Sequence, residues 1–160
     1  MTDGDSQQAP IDTHATRASD EAGSELVRLL AAASSVQCRA AAIQTAGAVV
    51  EWSGVTDPRA TAGLEELRRG RYGDTAVRRA VAGLVHEFDT RAWDIQDRID
   101  DGEDLQVDHL AAFKLARAIA ALASAGETDP RAAATDAIYE ALHAVDDRSL
   151  VMTVAVAALQ

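Results

Sequence analysis

The sequence predicts an all-α protein, a compact multi-helix bundle of five to seven helices. Three observations carry that expectation. Alanine is abundant while aromatic residues make up only 4% of the chain, a composition that favours helix over strand. No stretch of convincing length alternates apolar and polar residues with the period of a strand. Apolar positions instead recur three or four residues apart, in segments bounded by Asp, Pro and Gly.

Residues 1–19, "MTDGDSQQAPIDTHATRAS", carry almost no large apolar side chains, so they read as a disordered acidic and polar tail. Residues 20–160 read as a single all-helical domain. Its first helical region runs from about Ser19 or Asp20 to Trp52, with a stripe of Leu26, Leu29, Ala33, Val36, Ala40, Ile43, Gly47 and Val50. The segment "ASSVQ" is a natural place for that region to break. A short helix follows from Asp57 to about Arg69, stopped by Gly70.

The third helix is the best defined. Asp74 is its expected cap, and Val77, Val81, Leu84, Phe88, Ala92, Ile95 and Ile99 form one stripe, giving about 26 residues and roughly 40 Å of helix. A fourth helix from Val107 or Asp108 to Ala125 carries Val107, Leu110, Leu115, Ala118, Ile119 and Leu122. The fifth, Asp129 to Val145, buries Ala134, Ile138, Ala141, Leu142 and Val145. The sixth starts at Asp146 or Asp147 and is apolar nearly all round, which predicts a central or well-covered position, or cover from a second subunit.

Two heptapeptides, "GVTDPRA" at 54–60 and "GETDPRA" at 126–132, match at six positions. Each reads as helix stop, short turn and helix start: Gly for a left-handed C-cap, Asp for an N-cap, Pro at the first helical position. The offset of 72 residues also admits two stacked three-helix units related by an internal repeat.

A net charge of −11 repels phosphate backbones and anionic lipid, so neither nucleic acid nor membrane is an expected partner. The arginines at 68, 69, 71, 78 and 79 form the only basic candidate and read as solvated helix ends. The single cysteine, Cys38, cannot form an intrachain bridge; with no signal-like or membrane-length apolar segment, a cytoplasmic location is the expectation. No glycine-rich phosphate loop and no nucleophile elbow is present, and Cys38 reads as an inert thiol. No cofactor is expected.

One set of candidate ligands stands out. Glu140 and His143 are spaced i, i+3, with Asp136 one turn earlier; Glu-x-x-His is how some bundles present metal ligands. These residues lie opposite the Ile138, Leu142 and Val145 stripe, so they are expected to face water. A complete metal site would need a homodimer to supply a second copy.

Trp93 carries the other candidate. It points away from the stripe of its helix, flanked by His86, Asp89, Asp97 and Asp100. Cover by another helix, the N-terminal region above all, is the favoured expectation. Otherwise Trp93 anchors a partner surface, where the surrounding carboxylates would select a basic protein. The leading functional expectation is therefore a non-catalytic interaction module, an adaptor, regulatory subunit or inhibitor-like partner, acting through an acidic helix face. The alternative is a metal-binding bundle or small enzyme completed by dimerisation.

Overall fold

Short polar side chains at six helix N-termini punctuate the chain. Ser34, Asp57, Thr75, Asp108, Asp129 and Asp147 each accept a hydrogen bond from a free amide of the following turn, satisfying donors that the helix cannot. The structure, a computed structural model, describes the backbone of residues 13–160 and the side chains of residues 20–160. Those residues form α1 (Thr13–Ala32), α2 (Ser35–Ser53), α3 (Pro58–Arg68), α4 (Ala76–Asp100), α5 (His109–Ala125), α6 (Pro130–Ala144) and α7 (Arg148–Leu159). No strand occurs among them, and no helix is long and apolar enough to cross a membrane.

Several expected boundaries move. The first helix begins at Thr13 rather than near Ser19 or Asp20, and residues 1–12 of the expected tail lie outside the described residues. Thr75, not Asp74, caps α4; Asp74 instead pairs with Arg79 at 2.7 Å. The break inside the first helical region is a capping box. Gln37 N donates to Ser34 Oγ at 3.2 Å, and Ser34 N donates to Gln37 Oε1 at 2.9 Å.

That break resets the helical phase. The expected stripe is interrupted after Ala33, with Val36 79% exposed, though Ile43 and Val50 of it still pack on the core. The face of α2 that is buried consists of Cys38, Ala41, Ala42, Thr45, Ala46, Val49 and Val50. Helix α2 packs against α5, α6 and α7, and α6 also lies along α5. The contact faces are largely alanine, which lets helix axes approach closely. Leu84, Ile119, Ile138, Val49 and Val151 supply the larger fully buried volumes.

The apolar α7 is not central. It buries Val151, Ala155 and Leu159 and leaves Leu150 45% exposed. The far half of α4 and the start of α5 form a separate small core of Ala92, Ile95 and Ala112, closed by Leu105 and Phe113. Ile99, expected in the buried stripe, is 39% exposed, and Val107 and Leu110, expected on the apolar face of the next helix, are exposed too.

Three helix C-termini are closed by side chains from distant helices. Arg131 Nη1 donates to the carbonyls of Leu30 and Ala31 at 2.8 and 2.7 Å, and Nη2 to Ala33 at 3.2 Å. Arg39 does the same for α5, reaching the carbonyls of Ala125, Glu127 and Thr128 at 3.0, 2.8 and 2.9 Å while stacking 3.7 Å over the Tyr72 ring. Gln37 Nε2 donates to the carbonyls of Leu159 and Gln160. A guanidinium at a C-terminus also opposes the negative end of the helix dipole.

The two heptapeptides share punctuation and little else. Asp57 and Asp129 cap, and Pro58 and Pro130 open the next helix. Gly54 adopts the left-handed conformation with φ 71°, but Gly126 does not, at φ −85°. A Cβ at Gly126 would meet Arg78 Nε at 2.7 Å, so this glycine makes room for a side chain. The arginines diverge too: Arg59 pairs with Asp57 and Glu87, whereas Arg131 closes α1. Helix α6 packs closely on α2 and α5, while α3 touches both sparingly. The packing gives the internal repeat no support.

Candidate interaction face and cleft

Five side chains on successive turns define the acidic face of α4. His86, Asp89, Trp93, Asp97 and Asp100 recur at steps of three and four, which places them along one side of the helix. The structure leaves Trp93 67% exposed. Among the described residues no helix covers it, so the expected cover from the N-terminal region is not found there.

Beside Trp93 a cleft of about 330 Å³ opens between α4 and α5, lined by Asp89, Ala92, Trp93, Gln96, His109, Phe113 and Arg117. Of the expected face, Asp89 and Trp93 line this cleft. Asp97 and Asp100 are exposed farther along the helix, and Gln96 Nε2 donates to Asp100 Oδ1 at 2.6 Å. His86 is exposed on the turns before the cleft, next to Glu87. The carboxyl of Glu87 is held below its usual range chiefly by Arg59.

Arg117 organises the cleft from α5. It donates through Nη2 to Asp89 Oδ1 and through Nη1 to Glu140 Oε2 at 2.8 Å, tying α4, α5 and α6 together. Its guanidinium lies 5.4 Å from the Phe113 ring centroid. Burial opposes its charge, but the hydrogen bond with Asp89 and the charges of Glu140 and Asp89 outweigh that and raise its pKa above the ordinary arginine value. Arg117 Nε is buried and has no hydrogen-bond partner among the described residues. Arg117 was not among the expected site residues; the lone arginine in the otherwise apolar run "LARAIAALASA" is the signal that could have pointed to it. Phe113 and His109 gave no comparable signal, because their role depends on the angle at which α5 crosses α4.

The three candidate metal ligands do not converge. Glu140, expected to face water, is the half-buried partner of Arg117, its side chain 19% exposed. His143 stacks on Tyr139 with ring centroids 4.5 Å apart, and its Nδ1 lies 2.8 Å from the Tyr139 carbonyl. Asp136 sits against Glu127; burial of Glu127, and then the Asp136 charge, push the Glu127 carboxyl above its usual range. Among the described residues no group of three His, Cys, Asp or Glu is arranged to hold a metal ion.

Other candidates resolve into structure. Cys38 is 1% exposed within the main core. Of the basic window, Arg69 pairs with Glu65, Arg79 with Asp74, and Arg78 reaches the Ala123 carbonyl. A hollow of about 1220 Å³ is an open trough between α1 and the start of α7. Its walls mix Leu26, Val27 and Met152 with Asp20, Asp146 and Arg148, and no reactive set gathers there.

No protein-family model, no curated protein and no solved structure matches the chain.

Proposed function

We propose that the protein is a non-catalytic interaction module, an adaptor, regulatory subunit or inhibitor-like protein, that binds a basic protein partner through the acidic face of α4. The observation that carries this reading is Trp93: a tryptophan 67% exposed beside a cleft large enough to take a partner's side chain. Large apolar side chains left in water among charged neighbours mark contact surfaces, and tryptophan is among the residues most often dominant at them. The carboxylates of Asp94, Asp97 and Asp100, all exposed, would steer a basic partner and disfavour an acidic one.

The test is affinity capture from the source cells with the wild type and Trp93→Ala, after both are shown to melt alike. A basic protein retained by the wild type, lost with Trp93→Ala and weakened by Asp97→Asn with Asp100→Asn supports the reading. Partners that bind both proteins equally would place the interaction elsewhere on the molecule and sink it.

A further inference from the structure

We infer that the cleft between α4 and α5 receives an arginine side chain of the partner. This rests on the interaction reading above and names the group that the surface recognises. Three observations converge on a guanidinium. First, the cleft is walled by the Trp93 indole and the Phe113 ring, and an indole face attracts a cation laid over it.

Second, the Arg117 charge in the cleft wall is outweighed once Glu140, which stands outside the lining, is counted with Asp89. Arg117 is matched by these two carboxylates, so the triad carries one net negative charge. Of the Asp89 carboxylate, Oδ1 takes the Arg117 bond, and among the described residues Oδ2 accepts none. The exposed Asp97 and Asp100 continue the negative field along the same helix.

Third, the size is right for one side chain. A volume of about 330 Å³ lies at the lower end of the range for ligand pockets, ~300–1,000 Å³. Arginine fits better than lysine because its planar group stacks on an indole while its edge donates to a carboxylate. An anionic group is disfavoured because the Arg117 charge is already matched by the carboxylates of Asp89 and Glu140.

The chain has two tryptophans, and the second, Trp52, stands at the end of α2 outside the cleft. In Trp52→Phe, Trp93 is therefore the only indole reporter. Blocked Gly-Arg-Gly, its citrulline counterpart and Gly-Glu-Gly are titrated against it, reading fluorescence. If Trp52→Phe melts early, the Trp93 indole N–H resonance of the ¹⁵N-labelled wild type replaces it.

The expected result is saturable binding of the arginine peptide, about tenfold weaker binding of the neutral citrulline peptide, and none of the glutamate peptide. Added salt and Asp97→Asn with Asp100→Asn should both weaken the arginine peptide. Equal binding of arginine and citrulline, or tighter binding of glutamate, overturns the proposal. If the arginine peptide does not bind while Trp93→Ala still loses a captured partner, this proposal falls and the interaction reading stands. If neither effect is seen, both fall.

Discussion

Gly63 and Gly83 each stand inside a helix, and replacing each by alanine adds the same methyl group, but the surroundings differ. At Gly83 of α4 a Cβ meets nothing within 4 Å; at Gly63 of α3 it meets Val81 Cγ2 at 2.8 Å and Leu122 Cδ2 at 3.3 Å. Val81 and Leu122 are each 2% exposed, and the adjoining void of about 10 Å³ is barely room for one water. Neither neighbour can step aside cheaply. Alanine gains about 1 kcal/mol over glycine in a helix interior, so Gly83→Ala should stabilise by about 0.5–1 kcal/mol. Overpacking a filled core costs roughly 1–3 kcal/mol, so Gly63→Ala should come out neutral to destabilising by about 2 kcal/mol. The helix term is common to both variants, and their difference isolates the steric cost, about 2 kcal/mol. For a chain of this size that is a gap of roughly 4–8 °C in Tm. Thermal and urea melts followed by circular dichroism read it directly. Equal Tm values would refute the claim that α3 is seated tightly on α4 and α5.

Other perturbations separate structural side chains from exposed ones. Trp93→Ala should change stability by less than about 0.5 kcal/mol, as for other exposed positions; a loss several times larger in urea unfolding would mean that the indole is covered. Arg131→Met removes three charge-assisted bonds to the end of α1 and should cost about 2 kcal/mol, with hydrogen-exchange protection lost first around Leu30 to Ala33. Cys38→Ser buries a hydroxyl in the main core and should cost about 1–3 kcal/mol, while in the wild type thiol labelling should proceed only as fast as the protein opens. Glu127 gives the pH test. Its folded pKa is raised, so wild-type stability gains as pH falls through that value and is lost as pH rises through it. Glu127→Gln should therefore stabilise at neutral pH and lose its advantage in acid; an offset independent of pH in the melts would refute the assignment.

The helix punctuation was legible because caps are local chemistry. Asp57 and Asp129 cap as their sequence context predicts, and Asp108 and Asp147 cap helices expected to start within a residue of them. Helix α4, though capped by Thr75 rather than Asp74, buries Val81, Leu84, Ala92 and Ile95 of its expected stripe. The buried face of α2 was not legible. Alanine lies on so many of its sides that hydrophobic periodicity carries little phase information, and the Ser34 capping box resets what little remains. The same reason hid the position of α7, whose apolar residues surround it whether or not a neighbour does. The exposure of Trp93 depends on where the other helices lie, which no pattern within α4 records. Phe113 and Arg117 become its neighbours only through the crossing of α4 and α5, so only half of the cleft was visible beforehand.

The side chains of Gln37, Arg39 and Arg131 that close other helices bridge sequence separations of 86 to 123 residues. Contacts this distant form only after long loops have closed, at an entropic cost that precedes their reward. The final turns of α1, α5 and α7 are thus secured by groups that arrive when the rest of the molecule is already in place. An ordinary helix end frays on its own, at little free energy. These ends should instead open together with the whole fold, so that amides near Ala33, Ala125 and Leu159 exchange at rates set by global unfolding rather than by local fluctuation.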